Sequence, residues 1–132
     1  MSQENVKVVE DLFEGWALGE FPGRIDLLDP DVEYVNPDGA IEPGVRQGID
    51  GFIAAMDSVL QAWTVWRMHP ERLVAVAEKV AVVIRYEAQA RSSGLTMEGR
   101  ESALVTLRRG KVARYEWFHG PDDALEALGL EE

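Results

Sequence analysis

Two stretches of the chain carry hydrophobic residues at three- and four-residue spacing. The first stripe consists of Val6, Val9, Phe13 and Trp16. Gly19 follows it, which predicts an amphipathic helix that ends at this glycine. The second stretch begins after Asp50, a typical N-cap residue, and predicts another helix. Its buried stripe is expected to contain Phe52, Ile53, Met56, Leu60 and Trp63.

After the second helix the hydrophobic period changes to two residues, as it does in half-buried strands. We predict strands at about 65–76, 80–91, 95–108 and 111–119. The other predicted elements are a short helix at 24–28, a strand at 32–36, an irregular loop over 38–48 and a tail helix at 121–128. Helices come first and a strand meander follows, so the predicted class is α+β with an antiparallel sheet. The length of 132 residues predicts a single domain over 1–132.

The last predicted strand places three ring side chains on one face. Side chains alternate between the two faces of a strand, so Tyr115, Trp117 and His119 form a row about 13 Å long. Such a row forms either the wall of a pocket or an aromatic dimer face, and the alternation alone leaves both open.

Composition narrows the classes of function. A net charge of −11, without a cluster of lysine and arginine, argues against a nucleic-acid partner or an anionic membrane surface. The absence of cysteine excludes disulfides and thiolate chemistry, and no His/Asp/Glu spacing is typical of a metal site. No apolar run approaches the length of a membrane span, and the first residues lack the features of a signal peptide. We therefore predict a cytoplasmic protein without a metal or cofactor.

Five short stretches, in order along nearly the whole chain, carry a resemblance to known proteins. They are Ser-Gln-Glu-Asn-Val at 2–6, Leu-Asp-Pro-Asp-Val-Glu at 28–33, Arg-Gln-Gly-Ile-Asp-Gly at 46–51, Arg-Arg-Gly-Lys-Val at 108–112 and Ala-Leu-Glu-Ala-Leu-Gly-Leu at 124–130. Together they resemble the nuclear-transport-factor-two-like superfamily, and within it the SnoaL-like proteins. The resemblance implies a cone-shaped α+β roll, in which a strongly curved antiparallel or mixed sheet wraps around N-terminal helices and leaves an apolar pocket. It also implies a homodimer, and functions that range from isomerases, cyclases and hydrolases to binding modules.

The resemblance to ketosteroid isomerases fails at the residues that carry their chemistry. Those enzymes use a strand-one carboxylate as base, and a helix-one tyrosine and a later aspartic acid to hold the oxyanion. The matching positions here are Asn36, Leu12 and Ala103. An amide is not a base, and leucine and alanine donate no hydrogen bond, so this chemistry is predicted to be absent.

Limonene-epoxide-hydrolase-like members hold a nucleophilic water with a tyrosine and an asparagine two residues apart, and Tyr34 and Asn36 reproduce this pair. Arg85 and Glu87 could stand for two members of their Asp-Arg-Asp set, but the third position falls at Trp117. Alternation favours Arg85 and Glu87 on the outer face of the sheet, with Tyr86 pointing inward.

Glu101 and His119 are the candidate acid-base groups. Glu101 shares its strand face with apolar residues, where a buried carboxylate would need a partner such as His119, Tyr34 or an arginine and would titrate upward. A neutral imidazole such as that of His119 is a natural base at neutral pH, and the SnoaL-like cyclases use an aspartate near this position. The non-catalytic alternatives are that Glu101 is a solvated side chain at the open end of the cone, and that His119 is a hydrogen-bonded histidine at its rim.

The leading hypothesis is a SnoaL-like protein that binds a small apolar organic molecule in the cone and acts on it by proton transfer. The predicted catalytic residues are His119 and Glu101. The predicted substrate-binding residues are Tyr34, Asn36, Trp63, Tyr86, Tyr115 and Trp117. One alternative is a non-catalytic binding or carrier module, and another is a dimeric interaction module whose aromatic residues fill the cone.

Overall fold

A computed structural model describes residues 2–40 and 43–129 of the chain. Leu130, the last residue of the C-terminal stretch of resemblance, lies outside these ranges. The helices are α1 (Ser2–Ala17), α2 (Gly48–Ala62) and α3 (Asp123–Ala127), with a 3-10 helix at Ile25–Leu27. The strands are β1 (Leu28–Asn36), β2 (Gly44–Gln47), β3 (Trp63–Val76), β4 (Lys79–Ala90), β5 (Thr96–Arg108) and β6 (Lys111–Phe118).

The six strands form one curved, open sheet in the order β2-β1-β6-β5-β4-β3. All neighbours pair antiparallel except β1 and β6, which run parallel with Tyr34 opposite Tyr115. The α+β class and the curved sheet that accompanies helices are therefore confirmed, and the sheet is of the mixed kind. None of the described helices is long and apolar enough to cross a membrane.

Four local predictions on the N-terminal and tail segments are wrong in detail. Part of the region predicted as an irregular loop forms β2, because Gly44 to Gln47 pair with the end of β1. The helix α2 begins at Gly48 with Gln47 as its N-cap, so Asp50 lies in its first turn and is not the cap. The helix at 24–28 shrinks to one 3-10 turn, and the tail helix covers only Asp123–Ala127.

The first strand is longer than its apolar pattern indicated. It begins at Leu28 and passes through Pro30, a residue that cannot donate to a strand ladder. The pairing of β1 with β6 shifts its register between Leu28 and Glu33, which accommodates the proline.

The core lies between the concave face of the sheet and helices α1 and α2. On β5, the inward side chains of Ala103, Val105 and Leu107 are at most 1% exposed. The outward residue Leu104 instead packs with Ala81, Ala124 and Leu125 in a smaller cluster under α3. This alternation places odd-numbered residues of this part of β5 on the concave face, and Glu101 is one of them.

Charged side chains occupy the opposite face of β3, β4 and β5. Nε2 of His69 lies 2.5 Å from a carboxylate oxygen of Glu87, and Arg85 lies 3.8 Å from carboxylate oxygens of both Glu87 and Glu98. The prediction that Arg85 and Glu87 point away from the cone is therefore confirmed. An epoxide-hydrolase-like arrangement would need these two side chains inside, and the structure contradicts it.

Ser102 connects β5 to the C-terminal segment. Its hydroxyl donates a hydrogen bond to the Gly120 carbonyl oxygen at 2.6 Å and accepts one from the Ala124 N–H at 3.1 Å. We expect Ser102→Ala to lower the free energy of unfolding by about 1–3 kcal/mol, because two backbone groups lose their partner at a buried site. Urea denaturation measures this change. Ser58→Ala, on an exposed helical position, serves as control; a loss for Ser102→Ala no larger than the control would contradict the expectation.

Candidate functional site

A cavity of about 490 Å³ opens between α2 and the concave face of the sheet. This volume lies within the range of about 300–1,000 Å³ that is common for pockets holding drug-sized ligands. The strands contribute to its lining Tyr34, Asn36, Arg46, Trp63, Trp66, Met68, Glu101, Tyr115 and Trp117. Helix α2 and the segments at the mouth contribute Ala55, Met56, Ser58, Val59, Gln61, Ala62, Gly39, Ala40 and His119. The cone is therefore not filled, which contradicts the alternative of an interaction module with a packed interior.

Apolar and aromatic side chains make up much of the wall. The indoles of Trp63 and Trp66, both at the start of β3, lie 5.7 Å apart between ring centroids. The indole of Trp117 lines the cavity from β6, which β5 and β4 separate from β3 in the sheet order. Flat aromatic faces on separate strands suit a planar, largely apolar ligand.

Two tyrosines stack where β1 and β6 pair. The rings of Tyr34 and Tyr115 lie 5.6 Å apart at an angle of 10°, and the residues are 6% and 1% exposed. Burial, and next the negative charge of Glu101, raise the pKa of both hydroxyls above its ordinary value. Both therefore stay protonated at neutral pH. Within the described residues, the Tyr115 hydroxyl has no hydrogen-bond partner.

Glu101 is the buried carboxyl group of the cavity. It lies on β5 opposite Ile84, is 9% exposed, and lines the cavity. Burial raises its pKa from 4.5 to about 7. The sequence predicted that His119, Tyr34 or an arginine would pair with Glu101. Within residues 2–40 and 43–129, no residue makes a hydrogen bond or ion pair to this carboxyl group. The desolvated and unpaired carboxyl group is consequently poised between its two protonation states near neutral pH.

This burial has a consequence for stability. Between pH 4.5 and about 7 the folded chain keeps the Glu101 proton that the unfolded chain has released, so the free energy of unfolding falls as pH rises through this window. The fall should total about 3 kcal/mol, because each pKa unit corresponds to about 1.4 kcal/mol, and it should level off above the folded pKa. Urea denaturation between pH 4 and 8 measures it. Glu101→Gln should lose most of this slope; an equal slope in both proteins would assign it to other groups.

His119 lies at the mouth of the cavity. It is exposed, its ring contacts the Trp117 indole edge-on at 4.8 Å, and it approaches Gly39 closely enough that a β-carbon there would lie 3.4 Å from Nε2. The pairing of Ala103 with Trp117 continues toward Glu101 and His119, which brings both residues to the same end and face of the sheet. No hydrogen bond joins the two side chains within the described residues.

Asn36 and Trp117 are joined across β1 and β6. The indole Nε1–H of Trp117 donates to Oδ1 of Asn36 at 2.7 Å, and both side chains line the cavity. This contact determines which end of the amide is left free, because an indole N–H can only donate.

The lining of the cavity differs from the sequence-based prediction at several positions. Tyr86, predicted to bind substrate, points inward but lies outside the lining, where it stacks on Trp66 at 5.3 Å and covers Gly99. The lining residues of α2 were missed, although the apolar stripe at Met56 indicates this face of the helix. Arg46 was missed because β2 was not predicted. Within the described ranges, no three His, Asp or Glu side chains come together to hold a metal ion.

Comparison with known proteins gives a family and a fold. The sequence profile of the SnoaL-like domain matches residues 9–115. An uncharacterized protein of Mycobacterium tuberculosis is 24% identical over 125 residues, a stretch that covers 94% of this chain and 95% of the relative.

Solved structures with similar folds include an NTF2-like protein of unknown function from Burkholderia pseudomallei K96243 (TM-score 0.78, 21% identity, 93% of this chain and 95% of that chain). Another is TerC, co-crystallized with polyporic acid (TM-score 0.78, 22% identity, 96% and 98%). A third is a protein assigned as a SnoaL-like polyketide cyclase, from Jannaschia sp. CCS1 (TM-score 0.78, 17% identity, 99% and 95%). Identities this low show a shared fold and no more.

Proposed function

Because this chain belongs to the SnoaL-like family, we propose that it binds a small, largely apolar organic molecule in its cavity. In the proposed activity it moves a proton on that molecule, and Glu101 is the acid-base group. The proposal rests on the buried carboxyl group of Glu101, which lies on the wall of an aromatic cavity of about 490 Å³. Among the residues that the structure describes, none makes a hydrogen bond or ion pair to it. The assigned polyketide cyclase and TerC, which share the fold, support a small organic ligand and a cyclase- or isomerase-type activity.

The chemistry follows from the acidity of Glu101. A carboxyl group with a pKa of about 7 is present in both forms at neutral pH, so it can take a proton and later return it. In the proposed step, the Glu101 carboxylate removes a proton from the carbon beside a ligand carbonyl group. The electron pair of the broken C–H bond moves toward the carbonyl oxygen, and the Glu101 carboxylic acid then returns the proton to the same or another carbon. No cofactor is needed for this step.

The other predicted residues have supporting roles in the proposal. Tyr34 and Asn36 lie on the same face of β1 and would orient the polar group of the ligand. Trp63 and Trp117 would contact its apolar faces. His119, exposed at the mouth, would exchange protons between the bound ligand and water. The homodimer and the cytoplasmic location stay predictions.

The proposal is tested by proton exchange on a model ketone. With 2-tetralone in D₂O, the loss of the C1–H signal in the NMR spectrum should be faster with the protein than in the same buffer without it. The rate should rise as Glu101 is deprotonated through a pH near its pKa of about 7. Tryptophan fluorescence quenching, reported by the cavity indoles, measures binding in the same samples.

A second candidate function is a binding or carrier module without catalysis. It is favoured by the exposure of His119 and by the residues Leu12, Asn36 and Ala103 at the positions where ketosteroid isomerases hold their catalytic groups. Binding of 2-tetralone without faster exchange would support this candidate and overturn the catalytic proposal. Absence of binding by 2-tetralone and by an apolar dye such as Nile red would overturn both.

A further inference from the structure

We infer that Trp117 is a positioning residue that fixes the polarity of Asn36, so that the cavity selects ligands bearing a hydrogen-bond-accepting oxygen, such as a ketone, over ligands bearing a donor. This inference rests on the proposed function, since it concerns the ligand of the same cavity. It starts from the 2.7 Å contact between Trp117 Nε1 and Asn36 Oδ1.

The direction of this hydrogen bond is set by chemistry. The two ends of an asparagine amide differ in what they offer, since Oδ1 accepts and Nδ2 donates twice. The indole Nε1–H has no acceptor capacity, so it can pair only with Oδ1. With Oδ1 engaged, the amide offers its Nδ2–H groups as its remaining strong hydrogen-bonding groups. Within residues 2–40 and 43–129, those N–H groups have no partner.

The neighbouring groups supply further hydrogen-bond donors. Tyr34 lies two residues before Asn36 on β1 and lines the same cavity, and its burial keeps the hydroxyl protonated. No described residue pairs with the Tyr34 hydroxyl, which leaves its O–H available as a donor. Glu101 adds a third donor whenever it carries its proton. At the Asn36 amide this favours an acceptor oxygen on the ligand, because a ligand donor placed against the Nδ2–H groups would displace water and meet a second donor.

The indole thereby controls selectivity through another residue. Without the Trp117 Nε1–H, the Asn36 amide can rotate by 180° and present Oδ1 to the cavity. The site would then accept a ligand donor as readily as a ligand acceptor. The inference therefore predicts a change in the kind of ligand that is preferred, beyond any general loss of affinity.

Three tricyclic molecules of nearly the same shape make the test. Fluorenone has an acceptor oxygen, carbazole has an N–H donor without a comparable acceptor, and fluorene has neither. The dissociation constant of each ligand is measured by equilibrium dialysis below pH 6. Dividing the constants of fluorenone and of carbazole by that of fluorene gives two ratios, in which the apolar contribution shared by the three ligands cancels. Trp117→Phe removes the indole N–H and keeps an aromatic ring. Trp66→Phe is the matched control, since Trp66 lines the same cavity on β3.

The expected result is a shift in both ratios. Relative to fluorene, fluorenone should lose about tenfold of its affinity in Trp117→Phe, and carbazole should gain, since one hydrogen bond of this kind is worth roughly that factor. Trp66→Phe should change the affinity for all three ligands by a similar factor and leave both ratios in place. Equal ratios in the native protein and in Trp117→Phe would overturn the inference.

A second variant separates the amide from the indole. Asn36→Leu has nearly the same size, removes the amide N–H donors and leaves the indole of Trp117 in place. It should therefore lose the fluorenone preference even though Trp117 is unchanged. If Asn36→Leu retains that preference, the amide is not the selecting group and the inference is wrong.

Different measurements test the role of Trp117 and the proposed catalysis, so each can be overturned without the other. The ratios are measured at equilibrium and need no turnover, so a preference that depends on Trp117 would stand even if 2-tetralone exchange were not accelerated. Conversely, exchange that depends on Glu101 with unchanged ligand ratios would support the proposed function and remove Trp117 from it.

Discussion

Glu101→Gln is expected to slow proton exchange on a bound ketone by about 10²- to 10⁴-fold, the range that a positioned general acid-base group contributes. Glutamine has nearly the same size and can still donate a hydrogen bond, but it does not titrate. Because the carboxyl group has no described partner, its replacement breaks no ion pair, and the fold should be retained. The rate is read from the NMR exchange experiment with saturating 2-tetralone.

The control for this loss lies on the same strand. Glu98 is on the outer face of β5 with its side chain 67% exposed, near Arg85, so Glu98→Gln removes one negative charge without entering the cavity. Its exchange rate should match that of the native protein. His119→Ala should slow exchange less than Glu101→Gln, because His119 is exposed at the mouth. A native rate in Glu101→Gln, or a larger effect of His119→Ala, would show that the proton is taken elsewhere.

Trp16→Ala is expected to lower the free energy of unfolding by about 3–5 kcal/mol, the usual loss when a large aromatic residue is removed from a core. Trp16 is fully buried at the inner side of α1, and its ring meets those of Phe13, Phe52 and Tyr115 at 5.0, 6.2 and 5.5 Å. Its indole N–H also donates to the Pro22 carbonyl oxygen at 2.9 Å, which ties α1 to the next segment.

Such a loss is a large part of the roughly 5–15 kcal/mol that stabilises an ordinary domain. Urea denaturation followed by far-ultraviolet circular dichroism measures it, since the variant changes the tryptophan fluorescence. Trp66→Ala provides a comparison, because Trp66 is only partly buried and borders the cavity, so less packing is lost. An equal loss for the two variants would contradict the central role of Trp16 in the core.

The features of the site that follow from strand alternation could be predicted. The row formed by Tyr115, Trp117 and His119, and the isolated acid at Glu101, depend only on which residues share a face, and long strands make this parity secure. For the same reason, Arg85 and Glu87 could be placed on the outer face.

The features that depend on how segments meet in space could not be predicted. Strand β2 is only four residues long and has no buried residue, so its hydrophobic pattern does not identify it as a strand. It becomes recognisable only through its pairing with β1 in the folded structure. Tyr86 has the inward parity of a lining residue, yet the stacking on Trp66 places it beside the cavity. The contact between Asn36 and Trp117 joins residues 81 positions apart, and no local pattern indicates it.

The parallel pairing of β1 with β6 also determines when the cavity can form during synthesis. Its lining requires Tyr34 and Tyr115 side by side, and these residues are separated by nearly the whole length of the sheet-forming chain. A nascent chain on the ribosome therefore carries an unpaired edge on β1, with exposed aromatic surface, until β6 has emerged. Contacts of such high contact order slow folding and favour misassembly while they are incomplete. A ribosome-bound chain arrested before residue 111 should consequently lack the ligand pocket, whichever of its helices have already formed.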